Sequence, residues 1–117
     1  HLWVSEEPLL DAVTALSGSG PAYVFYFLEA MQQAGGQMGL PAADALRLAI
    51  ATFSGASALA AQSGEPPAVL RERVTSKGGT TFAALSAMQA AGVDAAFIAA
   101  MHAARQRAQE LGREFGG

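Results

Sequence analysis

Helical spacing of the apolar residues, interrupted by glycine and proline, is the feature that most limits what this chain can fold into. The residues that share one face of the last predicted helix are Phe97, Met101, Ala104, Ala108, Leu111 and Phe115. No stretch combines apolar/polar alternation with β-branched residues, the pattern typical of a strand. The sequence therefore predicts an all-α fold with five or six helices.

Glycine and proline also predict where these helices begin and end. Stops are expected at residues 17–20, residues 35–36, Gly64 and Gly92. Starts are expected at residues 5–8, Pro21, residues 40–41, residues 66–67 and residues 93–94, with Asp94 as a capping residue and Val93 packed on Ile98. Between them, residues 22–28 are apolar on every side, which predicts a helix segment buried in the core.

Alanine makes up nearly a quarter of the 117 residues. One chain of this length is expected to form one domain and to bury about two thirds of the surface of its unfolded form. Each buried alanine removes little apolar area from water, so the stability gained per helix is modest. We therefore predict an obligate dimer in which helices of the two subunits interleave.

Charge and composition exclude several classes of function. The net charge is -3 and the isoelectric point about 5.2. The few basic residues form no stripe, which argues against a nucleic-acid partner. There is no cysteine, and the two histidines, His1 and His102, are far apart in sequence without clustered acids, so no metal site is predicted. His102 is interpreted as a surface or partly buried helix residue and not as a catalytic base.

A hydrophobic content of 51% and a mean hydropathy of +0.25 raise the question of a membrane span. The nearest candidate, residues 42–61, is mostly alanine and contains Asp44 and Arg47, whereas a span needs about 20 strongly apolar residues. No membrane partner is predicted. The N-terminus lacks the basic and apolar regions of a signal peptide, which leaves the cytoplasm as the expected location.

Residues 74–81, Val-Thr-Ser-Lys-Gly-Gly-Thr-Thr, are the one stretch whose pattern indicates chemistry, and we call them the glycine loop. They precede an apolar helical run, so a helix is expected to start there with unpaired N–H groups and a partial positive charge. Glycines allow close approach of a ligand, and Ser76, Thr80, Thr81 and Lys77 add donors. The alternative is that Ser76 or Thr80 simply caps the helix. The spacing fits neither a Walker loop nor a dinucleotide fingerprint, so a small carboxylate is the favoured ligand.

Two motifs, the glycine loop and residues 11–23, Asp-Ala-Val-Thr-Ala-Leu-Ser-Gly-Ser-Gly-Pro-Ala-Tyr, resemble the C-terminal domain of pyrroline-5-carboxylate reductases, the last enzymes of proline biosynthesis. The resemblance runs over nearly the whole chain. It implies a helical dimerisation domain of the 6-phosphogluconate dehydrogenase C-terminal-like kind, which follows a Rossmann domain. Residues 1–7 would be the linker from that missing nucleotide-binding domain, and residues 8–117 the dimerisation and substrate-binding domain. The homodimers of some members assemble into rings.

The resemblance also implies an activity: hydride transfer from NADPH or NADH to C5 of the cyclic imine 1-pyrroline-5-carboxylate, giving L-proline. The residues that it assigns to the substrate carboxylate are Ser76, Gly78, Gly79, Thr80 and Thr81. Thr81 is the catalytic residue because it also reaches the imine nitrogen, Val74 packs on the ring, and Gly20 and Pro21 face the nicotinamide. Lys77 departs from the proline that many members have, and we expect its side chain to be exposed.

Two alternatives stay open at this point. The chain has no dinucleotide fingerprint, so it is expected to be inactive alone and could be a purely structural helical dimerisation module. It could also be the helical domain of another dehydrogenase. Such enzymes generally use a lysine on a helix as acid or base, and the only lysine here, Lys77, lies in the glycine loop, which argues against this alternative.

Overall fold

The computed structural model of the chain describes residues 7–115. These residues contain six α-helices and one π-helical segment, and no strand. The elements are α1 (Glu7–Val13), the π segment (Thr14–Gly18), α2 (Gly20–Gln37), α3 (Ala42–Ser63), α4 (Pro67–Arg73), α5 (Thr80–Ala90) and α6 (Val93–Phe115). The all-α prediction with five or six helices is confirmed. Of the predicted linker, residues 1–7, only Glu7 is among the described residues. His1 therefore lies outside them.

The first predicted break, at residues 17–20, lies where the structure changes from one element to the next, but it is not the loop that was expected. Ser17 and Gly18 belong to the π segment, in which the Ser19 N–H donates to the Thr14 carbonyl at 2.9 Å. Ser19 itself has helical dihedral angles, φ -85° and ψ -11°, and α2 begins at the next residue. Pro21 is therefore the second residue of α2, not the first. The chain changes hydrogen-bond pattern here without a loop.

The chain divides into two compact units, and the first comprises residues up to 24 together with those from 88 on. Within it, α1, the π segment and α6 pack against one another. Ala15 of the π segment is buried, and the Tyr23 ring meets the Phe97 ring edge-on at a centroid distance of 5.4 Å. The predicted apolar face of α6 is confirmed for its members from Phe97 to Ala108, which are partly buried, but Leu111 is 39% exposed; His102 is exposed.

The second unit, residues 25–87, contains the junction of α2 and α3. The glycine pair 35–36 does not end α2 as predicted. The helix ends at Gln37 with a Schellman motif: the Leu40 N–H donates to the Gly35 carbonyl at 3.0 Å, and Gly39 has φ 101°. At Gly35 an added Cβ would lie 2.9 Å from the Ala45 Cβ, so this glycine allows α2 and α3 to approach closely.

The remaining boundaries follow the predicted glycines and prolines with small shifts. Gly64 and Gly92 have φ of 70° and 69° at the ends of α3 and α5, and α4 starts at Pro67. Asp94 is not the cap of α6, because the helix starts one residue earlier and the Gly92 carbonyl accepts the first N–H, that of Ala96. Val93 is thus already helical, and the staple predicted between it and Ile98 is wrong.

Little of this chain is buried. Among the described residues only Ala15, Ala45 and Ala49 are buried, with 3–4% of their surface exposed. The accessible surface is 8922 Å², whereas a compact monomer of this mass exposes about 6000 Å² and its unfolded chain about 17,000 Å². The expectation that two thirds would be buried is therefore wrong for a single chain, which buries about half. Phe25 and Tyr26, predicted to be core, are 63% and 69% exposed.

By length and composition, no single helix in the described part of the chain could cross a membrane, and α5 and α6 pass that test only together, as a bent pair.

Candidate anion-binding loop

The glycine loop starts where α4 ends, and its first residues complete that helix. The Val74 N–H donates to the Arg71 carbonyl at 3.2 Å, and the Thr75 N–H donates to the Glu72 carbonyl at 3.1 Å. The Thr75 hydroxyl donates to the Arg71 carbonyl as well. The polar groups of Thr75 are therefore used to close α4, and the donors left for a ligand lie further along the loop.

The next four residues form a tight turn. The Ser76 carbonyl accepts the Gly79 N–H at 3.0 Å, and Gly78 has φ 76°. A turn with positive φ at its third residue is of type II, which requires glycine or asparagine there. Lys77 occupies the second position and its side chain is exposed, as predicted. The glycine pair is thus explained first by Gly78, which lets the chain reverse ahead of α5.

Gly79 is favoured for a different reason. A Cβ on this residue would lie 2.6 Å from the Ser76 Oγ and 3.3 Å from the Ser76 carbonyl oxygen. The Gly79 carbonyl accepts the first N–H of α5, from Ala83, at 3.0 Å, so Gly79 is the N-cap residue. The alternative in which the hydroxyl of Ser76 or Thr80 caps this helix is wrong, because within residues 7–115 neither hydroxyl has a hydrogen-bond partner.

Several donors at the start of α5 therefore remain unpaired within the described residues. The N–H groups of Thr80, Thr81 and Phe82 precede the first intrahelical bond, and the Thr81 hydroxyl also has no partner. Thr81 is partly buried, whereas Thr80 and Ser76 are exposed. N–H groups and hydroxyls at a helix start suit an anion of the size of a carboxylate. The loop can bind and orient such a group.

Not all the predicted site residues belong to this loop. Ser76, Gly78, Gly79, Thr80 and Thr81 come together at the start of α5, and Val74 lies at the end of α4 with 65% of its surface exposed. Gly20 and Pro21, the residues assigned to the nicotinamide, are the first two residues of α2 and belong to the other compact unit.

The corner of residues 17–21, which we call the serine-glycine corner, keeps one surface open. A Cβ added to Gly20 would meet nothing within 4 Å, and Pro21 is exposed. These residues leave room for a flat group such as a nicotinamide ring. Gly20 has no positive φ, so open space and not backbone freedom distinguishes it.

Sequence reasoning missed one residue of this region. Tyr23 was interpreted as part of an aromatic core, but its hydroxyl donates to the Ala15 carbonyl at 2.6 Å. The signal available was a tyrosine just after a glycine-rich break, since a partly buried tyrosine hydroxyl usually finds a partner. In the part of the chain that the structure describes, no group of three or more acidic or histidine side chains is placed to hold a metal ion.

The fold and loop define a class: an all-α domain with unpaired N–H groups at a helix start and too little core for a single chain. A family model described as pyrroline-5-carboxylate reductase dimerisation matches residues 7–111. Over 115 residues the chain is 48% identical to the pyrroline-5-carboxylate reductase of Pseudomonas aeruginosa, covering 98% of this chain and 42% of that protein. The enzyme of Pisum sativum is 41% identical over 94% of this chain and 40% of its own length.

Solved structures agree with the sequence comparisons. A pyrroline-5-carboxylate reductase from Coxiella burnetii matches with a TM-score of 0.89 and 42% identity, over 94% of this chain and 41% of that one. The Plasmodium falciparum pyrroline carboxylate reductase, solved with NADP bound, matches with a TM-score of 0.88 and 30% identity. The match covers 92% of this chain and 41% of that one. This chain belongs to the pyrroline-5-carboxylate reductase dimerisation family. It spans about two fifths of the length of the curated relatives it matches.

Proposed function

We propose that this chain is the dimerisation and substrate-carboxylate-binding domain of a pyrroline-5-carboxylate reductase, which reduces 1-pyrroline-5-carboxylate to L-proline with NAD(P)H in the cytoplasm. The observation that carries the proposal is the start of α5, where unpaired N–H groups and hydroxyls lie in a chain that belongs to this family. No observation favours the purely structural module or another dehydrogenase.

In this proposal the glycine loop binds the substrate carboxylate. The type II turn at Gly78 and the close contact of Gly79 with Ser76 bring the hydroxyls of Ser76 and Thr80 to the same end of α5 as its free N–H groups. A carboxylate accepts hydrogen bonds from several such donors at once, and the helix dipole adds to the attraction. Val74, exposed beside the loop, offers an apolar contact for the ring.

Thr81 is assigned the catalytic role of orienting the imine. Its partly buried hydroxyl, on the second residue of α5, has no partner in the described part of the chain and so is available to the imine nitrogen. A threonine hydroxyl is too weak an acid to protonate that nitrogen alone. The proton therefore comes from solvent, or the substrate binds as an iminium ion that is already protonated.

The cofactor, NADP or NAD, is bound mainly by an N-terminal nucleotide-binding domain to which residues 1–7 link. When bound, the nicotinamide supplies the hydride. In this chain Gly20 and Pro21 contribute an open surface on which a flat ring can lie. The chain alone carries no dinucleotide fingerprint, so we expect it to be inactive without that domain.

The partner in this proposal is a second copy of the chain. The accessible surface of 8922 Å² exceeds that of a compact monomer by roughly 3000 Å². Because each of the two chains would bury such an excess, the dimer would bury roughly 6000 Å² in total, at the upper end of the interfaces of obligate dimers. Helices of the two subunits interleave in the dimer, and a ring of dimers is the larger assembly that the resemblance implies.

The test is the substitution Thr81→Ala in the full-length enzyme. Losing one or two hydrogen bonds to the substrate is expected to lower kcat/KM by about tenfold to a hundredfold. Ser86→Ala is the matched control, because it removes an exposed hydroxyl further along the same helix and should leave kcat/KM unchanged. Wild-type kinetics in the Thr81 variant would remove this residue from the site.

Titration with L-proline, observed by NMR, checks the carboxylate site separately. Binding to the wild-type enzyme that weakens in the Thr81→Ala variant supports the glycine loop as the site. Equal binding to the two proteins would show that the carboxylate is held elsewhere.

A further inference from the structure

Three side-chain hydroxyls bond to backbone carbonyls where α1 passes into the π segment. Thr14 donates to the Leu10 carbonyl and Ser17 to the Val13 carbonyl, each at 3.0 Å. Tyr23, from α2, donates to the Ala15 carbonyl at 2.6 Å. The bonds from Thr14 and Ser17 reach back four residues into α1, whereas the bond from Tyr23 reaches back eight residues and joins α2 to the π segment.

The Tyr23 bond replaces one that the backbone does not provide. The Ser19 N–H goes to the Thr14 carbonyl, which completes the π pattern. In a continued π pattern the Ala15 carbonyl would accept the Gly20 N–H, but α2 begins at Gly20 and the described residues contain no such bond. Ala15 is only 3% exposed, so water cannot easily supply a partner for its carbonyl. A buried carbonyl without a partner is costly, and the Tyr23 hydroxyl prevents this.

The Tyr23 ring is itself fixed by α6. It meets the Phe97 ring edge-on, with an interplanar angle of 90° and a centroid distance of 5.4 Å. The Tyr23 hydroxyl therefore bonds to the π segment, while the Tyr23 ring packs against Phe97 of α6. π-helical segments are rare and frequently lie at functional sites. The serine-glycine corner begins two residues after Ala15, whose carbonyl accepts the Tyr23 hydroxyl.

We propose that Tyr23 is a positioning residue, whose hydroxyl sets the conformation of the serine-glycine corner and through it the affinity for the nicotinamide cofactor. This inference rests on the proposed function, in which Gly20 and Pro21 face that cofactor. Without the hydroxyl, the corner adopts its binding conformation in a smaller fraction of molecules. The apparent affinity for the cofactor falls by the same fraction.

The test compares Tyr23→Phe with Tyr26→Phe in the full-length enzyme. Both variants keep the ring and lose a hydroxyl, but the Tyr26 side chain is 69% exposed and its hydroxyl forms no hydrogen bond within residues 7–115. For Tyr23→Phe we expect the KM for NADPH to rise by about fivefold or more, while the KM for 1-pyrroline-5-carboxylate stays within about twofold. Hydrogen exchange at the Ser19 amide should accelerate by a similar factor. Tyr26→Phe should change neither.

If Tyr23 has only a structural role, Tyr23→Phe lowers the melting temperature and leaves the ratio of the two KM values at its wild-type value. That result would overturn the inference. Gly20→Leu separates this failure from that of the proposed function, because it fills the open surface of the corner directly. A raised KM for NADPH in Gly20→Leu but not in Tyr23→Phe overturns the role of Tyr23 alone. An unchanged KM in Gly20→Leu shows that the corner does not face the cofactor and overturns both.

Discussion

At the scale of single residues, the turn at Lys77 and Gly78 decides how the glycine loop is held. Lys77 occupies the second position of a type II turn, where the fixed φ of proline is favoured, and it forms no ion pair in the described part of the chain. We expect Lys77→Pro to raise the free energy of unfolding by about 0.4–1 kcal/mol, because it restricts the unfolded chain. Thermal unfolding measures this, with Lys77→Ala as the control that should change little.

Gly78→Ala tests the same turn from the other side. The φ of 76° is unfavourable for any residue with a Cβ, and the substitution is expected to cost about 1 kcal/mol. Equal melting temperatures for Gly78→Ala and the wild type would show that the turn is not held as described.

The donors of this loop could be predicted from the sequence, because hydroxyls and glycines before an apolar run indicate a helix start. Which residue caps the helix could not. Gly79 takes that position because the turn before it already uses the Ser76 carbonyl and places the Ser76 side chain over Gly79. The bond of Tyr23 was also beyond sequence reasoning, since its acceptor lies eight residues back and only the π segment brings the two together.

At the scale of helices, glycines with the same sequence signal have different roles. The pair at 35–36 looks like a helix stop, yet α2 continues through it and ends only where Gly39 adopts a positive φ. Gly35 is present because α3 lies against it. Gly36 has nothing within 4 Å of an added Cβ. Local sequence does not distinguish these two roles, because the role of Gly35 depends on its contact with α3.

The two neighbouring glycines therefore provide a matched pair of substitutions. Gly35→Ala would place its Cβ 2.9 Å from the Ala45 Cβ and should destabilise the protein by about 1–2 kcal/mol, after the gain in helix propensity is included. Gly36→Ala gains the propensity without the clash and should stabilise by about 0.5–1 kcal/mol. Chemical denaturation measures both changes. The same sign for the two variants would contradict the close approach of α2 and α3.

At the scale of the whole molecule, the surface left exposed explains why the alanine-rich composition matters. All of α3 from residue 51 to its end is exposed except Phe53, which is partly buried. A helix segment with so few contacts gains little from packing within its own chain, although packing usually supplies most of helical stability. The sequence predicted that more surface must be buried elsewhere. It could not show which faces stay open, because that depends on how the helices of one chain pack.

The last prediction follows from those open faces. Phe25 is 63% exposed, so Phe25→Asp should disturb a single chain little but place a charge in the proposed dimer interface. We expect sedimentation velocity at micromolar concentration to show loss of the dimer. The melting temperature of the wild type should rise with protein concentration, as it does when folding and association are coupled. Gln33→Asp, at an exposed polar position of the same helix, adds the same charge without removing apolar surface and should remain dimeric.

These two measurements separate an obligate dimer from a weak one. If the dimer is obligate, Phe25→Asp loses helical structure together with association, because a chain with only three buried alanines among its described residues has too small a core to stay folded alone. A folded monomer of the wild type at micromolar concentration would instead rule out the interleaved dimer. The excess of roughly 3000 Å² would then need another partner.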